Sequence, residues 1–257
     1  MAQAAQPRPQ TDPAGPAPAG RPRAKGPHYL GVLGELHAML APGWYLEIGS
    51  GRGHSLACAT GRSIAVDPGF RIGGDRMESV IGQKPELHLI QTTSDAFFAE
   101  DRLSAFTRTV DLAFIDGMHL FEFVLRDFIN VERRCTPEST ILLHDMVPFS
   151  AAAAAREWDK GATTGWSGDV WKMAFILRRH RPDLNFRIFD ARPSGLGVVQ
   201  GINPEDNTLS EGYEDILAEY MKLDWAAVPD AEMAAIIDLQ PLDTLLSPAA
   251  LARIAAQ

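Results

Sequence analysis

The stretch Tyr45-Leu46-Glu47-Ile48-Gly49-Ser50-Gly51-Arg52-Gly53 decides the fold. Trp44 to Ile48 is an apolar run of the length of one buried strand. It opens into glycines at alternate positions, where the backbone turns tightly and approaches a ligand without a side chain in the way. His54 to Thr60 read as the start of a helix. Strand, glycine turn and helix N-terminus together predict a nucleotide-type cradle. The spacing is G-x-G-x-G, not the G-x-G-x-x-G of dinucleotide sites, which disfavours an NAD-linked dehydrogenase. Glu47, directly before the turn, suits a cationic amine better than a pyrophosphate.

Outward from this stretch the pattern repeats. Ser63-Ile64-Ala65-Val66 ends at Asp67-Pro68, about 20 residues after the glycines, where doubly wound folds hold a ribose hydroxyl pair. Leu87-His88-Leu89-Ile90 leads into Ser94-Asp95-Ala96. Val110 to Ile115 ends in Asp116-Gly117-Met118-His119, and Thr140 to Leu143 ends in His144-Asp145. Each apolar run finishes in a polar cluster, and the carboxyl edge of a parallel sheet is where ligands bind. Asn185 to Phe189 and Gly197 to Gln200 read as two last strands, an antiparallel pair around Ala191-Arg192-Pro193-Ser194-Gly195. Helices are expected from near His28, over Leu120 to Arg134 with Pro137 as stop, over Val170 to His180, and over Glu211 to Leu223.

The order Glu47-Ile48-Gly49-Ser50-Gly51-Arg52-Gly53, Asp67, Ser94-Asp95-Ala96, Phe114-Ile115-Asp116-Gly117 resembles class I S-adenosylmethionine-dependent methyltransferases, over roughly His28 to Ile202. Phe114 to His119 with Leu142-Leu143-His144-Asp145 is similar to the subgroup of small-molecule and sugar O-methyltransferases, some of them metal-dependent. Trp166-Ser167-Gly168-Asp169-Val170-Trp171-Lys172 is similar to a segment of bacterial members. The resemblance implies a Rossmann-like, doubly wound α/β sheet of seven strands, mostly parallel with an antiparallel last strand. It implies S-adenosyl-L-methionine as cofactor. Glu47, Gly49, Ser50, Gly51 and Gly53 would face its methionine part, Asp67 its ribose, Ser94 and Asp95 its adenine, and Asp116 its sulfonium end.

Two chemistries are open for Asp116, His119, His144 and Asp145. In one, Asp116 and Asp145, with His144, hold Mg²⁺ or another divalent metal that lowers the pKa of an acceptor hydroxyl, and His119 takes the proton. In the other there is no metal, and a histidine acts as base while the carboxylates orient it. Related metal-dependent enzymes carry an Asp-Asn pair where this chain has Asp145-Met146, so one oxygen ligand for a hard cation is missing. Met146 to Lys172 reads as an acceptor loop or lid, with Trp166 and Asp169 as substrate-binding candidates for an acceptor with apolar faces and polar edges.

The chain has 257 residues, 46% of them hydrophobic, enough for one α/β domain with extensions. Its formal net charge of -9 argues against nonspecific nucleic-acid binding. No apolar stretch approaches the roughly 20 residues of a membrane span. Cys58 and Cys135 form neither a metal spacing nor a disulfide framework, which suits the cytoplasm. Residues 1–27, rich in Ala and Pro, are expected to be a disordered tail, 28–202 the cofactor-binding domain, and 203–257 a helical cap or oligomer contact. A homodimer is the default assembly. The expected activity is O-methylation of a small-molecule or glycan hydroxyl; the alternative is a regulatory protein that binds the cofactor or a nucleoside without turnover.

Overall fold

A computed structural model describes residues 20–82 and 84–256. In chain order the elements are α1 (Tyr29–Leu40), β1 (Trp44–Ile48), β2 (Arg62–Asp67), α2 (Gly74–Ile81), β3 (Leu87–Gln91), α3 (Ser94–Ala99), β4 (Val110–Ile115), α4 (Phe121–Glu132), β5 (Cys135–Leu143), α5 (Lys172–His180), β6 (Asn185–Phe189), β7 (Leu196–Gln200), α6 (Thr208–Glu211), α7 (Tyr213–Tyr220), α8 (Asp230–Ile237), β8 (Leu239–Gln240) and α9 (Pro248–Ala255). The sheet runs β3-β2-β1-β4-β5-β7-β6-β8. Pairs from β3 to β5 are parallel, β7 is antiparallel to both β5 and β6, and β8 is parallel to β6.

The sheet is buried on both faces, which is why its central strands read as near-continuous apolar runs. Leu46, Ile48, Ile64, Val66, Ala113 and Ile115 pack with Phe121, Val124 and Phe128 of α4. Their alternates Tyr45, Ala65, Leu112, Phe114 and Leu142 pack with Val32, Leu33 and Leu36 of α1 and with Ala250 and Ile254 of α9. The strand order reverses between β1 and β4, so a crevice opens there beyond the carboxyl ends. The glycine turn and Asp116 to His119 flank it.

Several expectations need correction. The sheet has eight strands, not seven, because Leu239 and Gln240 pair with Ile188 and Phe189. Two residues carry no readable period. No α-helix follows the glycines: the chain makes one 3₁₀ turn, Leu56–Cys58, and is extended again at Ala59 before β2 begins at Arg62. Pro137 does not stop α4, which ends at Glu132. It sits instead inside β5, where the pairing register shifts between Val110 and Leu112 and spares its missing amide. The helix expected over 211–223 is two pieces, α6 and α7, broken at Gly212.

Residues 1–19 of the expected tail lie outside the described residues. Residues 20–27 are laid along the fold. Arg21 pairs with Asp230 at 2.6 Å and covers the Trp225 ring at 4.8 Å. The amides of Lys25 and Gly26 donate to Asp190 Oδ1 at 2.6 and 2.8 Å. The Arg192 amide donates to Pro27 O and the Tyr29 amide to Arg192 O, at 2.9 and 3.0 Å. This segment needs no core of its own, because it borrows hydrogen bonds from the end of β6. No described helix is long and apolar enough to cross a membrane.

Candidate active site

The glycine turn is fixed from three sides. Gly49 has φ +87, and a Cβ there would lie 2.0 Å from Asp116 O. Its missing side chain therefore serves the closure of β1 onto the β4 tip. At Gly53, φ +74, a Cβ would lie 2.8 Å from Val80 Cγ2. Gly51, φ +48, faces open space, with only Arg71 Nη2 nearby at 3.6 Å. Of the glycines in this turn it is the one placed for a ligand. Asp67 ties the turn to the β2 tip, accepting from the Gly51 and Gly69 amides at 2.7 Å each. The Ser50 hydroxyl is buried against the Glu47 carboxylate, which leaves the open face at Gly51 as the place for a polar ligand.

Glu47 points into the core on the α1 side of the sheet rather than into the crevice. It is fully buried and accepts from Tyr45 Oη at 2.6 Å and Ser55 Oγ at 3.0 Å. Burial pushes its carboxyl up to about 7, against the pull of these hydrogen bonds. Asp95 turns away from the crevice as well: it forms a two-pronged pair with Arg126 at 2.9 and 2.8 Å, and Arg126 continues to Tyr213 Oη. Ser94 hydrogen-bonds Asp127. Asp127 was not legible as a site residue. It is buried 3.5 Å from where a Cβ on Gly117 would sit, and desolvation raises its carboxyl to about 7. Its position on the inner face of α4 gives it the pattern of a core residue.

Asp116, His119, His144 and Asp145 do converge. His144 Nδ1 lies 3.1 Å from Asp116 Oδ1 and 3.4 Å from Asp145 Oδ1. His119 Nε2 lies 3.3 Å from the same Asp116 oxygen, and its Nδ1 lies 3.1 Å from Asp145 Oδ2. The carboxylates and imidazoles thus alternate around one centre. Both His119 and Asp145 hold left-handed backbone, φ 59 and 62, a conformation non-glycine residues sustain only where their surroundings enforce it. Burial alone would lower the histidines, but the two carboxylates outweigh it. His119 is raised to about 9 and His144 well above its usual value. Burial alone would raise the carboxylates, but the imidazoles hold Asp116 and Asp145 below the usual range.

Asp116, His144 and Asp145 each offer a ligand atom, all within 4.8 Å of one another. Asp145 Oδ2 is buried with no well-aligned hydrogen bond among the described residues. Two carboxylate oxygens and the nitrogen of an unprotonated His144 would fit a divalent cation, with the nitrogen favouring a borderline ion over Mg²⁺. Met146 is fully buried and turned into the core, so it adds no ligand.

Two further residues brace this centre. The Tyr29 ring lies 4.2 Å from the His144 ring and 6.2 Å from Phe114. Ser194 Oγ lies 3.5 Å from His144 Nε2. Neither stands next to a motif in the sequence, and only the fold of α1 and of the β6–β7 turn delivers them.

The Trp166 ring stacks on His119 at 5.4 Å and 23°. Trp158, 45% exposed, lies parallel to Trp166 at 6.3 Å and 4°. Exposed Met118 stands next to His119 in the chain. Asp169 is not available to an acceptor. It is buried, and its carboxylate is filled by Lys172 Nζ at 2.9 Å, Arg156 Nη1 at 2.6 Å and the Phe121 amide at 2.9 Å.

Residues 46–146 match the family described as a methyltransferase domain. No curated protein matches the chain. Among solved structures, it is similar to an O-methyltransferase from Bacillus cereus in complex with SAH, at 15% identity and TM-score 0.51, covering 71% of this chain and 84% of that one. It is also similar to cofactor-bound Rv0187 from MTB, at 13% identity and TM-score 0.50, covering 67% and 79%. At such identities the likeness establishes the fold, a mostly parallel Rossmann-like sheet. Fold and family match together make the chain similar to class I S-adenosylmethionine-dependent methyltransferases.

Proposed function

We propose that the chain is an S-adenosylmethionine-dependent methyltransferase acting on a hydroxyl of a small molecule or glycan. The observation that carries this reading is the placement of Gly51, Asp67 and the Asp116–His119–His144–Asp145 group around one crevice at the strand-order reversal. The bound cofactor supplies an electrophilic methyl group for in-line transfer. Gly49, Gly51 and Gly53 shape the backbone against it, and Asp67 receives the ribose hydroxyls while holding the Gly51 amide. Ser50 borders the methionine part, and Glu47 backs the turn from beneath through Ser50 and Ser55. Ser94 borders the adenine end, with the Asp95 carboxylate held back by Arg126, and Asp116 borders the sulfonium end. Once deprotonated, His119 takes the acceptor's proton at Nε2, and Asp116 and Asp145 stabilise the imidazolium that results, so transfer is expected to rise with pH towards about 9. His144 holds both carboxylates in register. Trp166, Trp158 and Met118 offer the acceptor an apolar wall.

A divalent ion on Asp116, His144 and Asp145 would lower the pKa of the acceptor hydroxyl. Exhaustive dialysis against EDTA is expected to abolish transfer, with recovery on adding Mn²⁺ or Mg²⁺. Full activity after dialysis removes the ion from the reading. Calorimetry with S-adenosylhomocysteine tests the cofactor, and isotopic methyl transfer into a panel of phenols, catechols and glycosides tests catalysis. Saturable binding and labelled ether products are expected; absence of binding overturns the assignment. The charge balance of the Asp–His group favours one other reading, a regulator that binds the cofactor without turnover. Binding with no labelled product in any acceptor would support it.

A further inference from the structure

The segment from Trp166 to Asp169 encloses His119. Trp166 O accepts from His119 Nδ1 at 2.9 Å, and the Trp166 ring covers one face of the imidazole. The Asp169 amide donates to His119 O at 3.2 Å, and Asp169 Oδ1 accepts from the Phe121 amide at 2.9 Å. His119 is thus gripped at its ring and its carbonyl, and two residues further on at Phe121. Gly168, φ +59, makes the approach possible, since a Cβ there would lie 1.7 Å from His119 O.

The segment is itself anchored. Trp166 Nε1 donates to Ala155 O at 2.6 Å, and the Ser167 amide and hydroxyl both donate to Ala153 O at 3.0 Å. Asp169 lies between Lys172 and Arg156, and Arg156 also pairs with Glu122. Two carboxylates and two cations balance, so the network is neutral and its geometry is fixed by charge. Left-handed backbone at a histidine costs energy and persists only when neighbours enforce it. These neighbours are the ones that do so.

We propose that Trp166-Ser167-Gly168-Asp169 is a clamp that sets the position of the His119 imidazole, with Asp169 a positioning residue and not an acceptor ligand. Its functional consequence rests on the reading of His119 as the base. The geometric part does not, and the two are tested separately.

The geometric test is a long-range ¹H–¹⁵N spectrum of the histidine side chains of the full chain, without cofactor. Gly168→Ala is expected to displace the His119 ring signals and leave those of His37, a buried residue of α1, unmoved. Asp169→Asn keeps an acceptor for the Phe121 amide and removes the charge, and serves if Gly168→Ala does not fold. Trp166→Leu is expected to shift His119 and Trp166→Phe to restore most of the wild-type signal. His119 signals superimposable on wild type in a folded Gly168→Ala or Asp169→Asn chain overturn the clamp.

The functional test uses S-adenosylhomocysteine as binding probe and 3,4-dihydroxybenzoate as acceptor probe. The same variants are expected to bind the nucleoside within about threefold of wild type while kcat falls about 10²-fold, the scale set by roughly 1 Å of misplacement. A raised KM with kcat unchanged means that the segment contacts the acceptor instead, and the positioning role falls. A wild-type chain that neither binds the nucleoside nor transfers methyl sinks the proposed function, with the spectra still deciding the clamp.

Discussion

At the scale of single residues, charge and burial separate groups that look equivalent in sequence. Asp67 and Asp95 both stand at strand tips, yet Asp67 holds the Gly51 amide and Asp95 is taken by Arg126. Asp67→Ala should weaken S-adenosylhomocysteine binding by about 1–3 kcal/mol, the cost of orphaning the groups a carboxylate satisfies. Unchanged affinity by calorimetry removes Asp67 from the site. Glu47 carries a second consequence. Its folded pKa lies near 7 against an ordinary 4.5, chiefly through burial. Between those values the folded state keeps a proton that the unfolded chain releases, so this residue's contribution to stability falls as pH rises. The Glu47→Gln chain should therefore gain on wild type by up to about 1.4 kcal/mol per pH unit, about 3 kcal/mol in all, over that window. Denaturant unfolding at a series of pH values measures the difference, and a flat difference contradicts it. Asp67, Asp116 and both histidines stand out in the sequence because each lies at or just past the end of an apolar run; Glu47 stands at such a place too, yet turns into the core. Asp127 and Tyr29 were not, because each sits on a helix face whose period reads as core.

At the scale of elements, the strands were legible and the segments after them less so. The inner parts of β1, β2, β4 and β5 are buried on both faces and leave short, largely apolar runs. The glycines and small residues after β1 read as a helix start, but the chain makes a single 3₁₀ turn and is extended again at Ala59. The consequence is that the turn cannot rely on a helix N-terminus for rigidity. It leans on Asp67 and on the β4 tip, where Gly49 closes onto Asp116. Gly49→Ala must displace backbone, and its φ of +87 is unfavourable for any side chain. The variant should lose at least about 1–3 kcal/mol of stability and bind S-adenosylhomocysteine far more weakly. Gly51→Ala meets no backbone within 4 Å. It should keep more of the stability while losing affinity. Equal thermal shifts for the two variants would refute the distinction between a packing glycine and a ligand-facing one.

Across the whole molecule, the segment that precedes α1 is bound to the far edge of the sheet. Residues 20–28, the turn after β6, and β8 share a single hub at Asp190. Its carboxylate receives the Lys25 and Gly26 amides, and its own amide donates to Gln240 O. From there the leading segment runs through the His28–Arg192 bridge to Tyr29, whose ring rests on His144. Composition hid this, since a Pro- and Gly-rich segment reads as a tail whether or not a sheet edge is waiting for it. The prediction is that Asp190→Ala frees the segment. Trypsin should then cut after Arg23 or Lys25 about 5- to 150-fold faster than in wild type, because a local opening that loses about 1–3 kcal/mol of hydrogen bonding is populated by that factor. The centre of the site should feel it through Tyr29, as a loss of turnover larger than the loss of nucleoside affinity, because Asp67 and the glycine turn lie on the other side of β1. Mass spectrometry of the digests decides the first part. Cleavage at the wild-type rate means that the segment is held by Arg21 and Asp230 instead, and the hub is not the hinge of this edge.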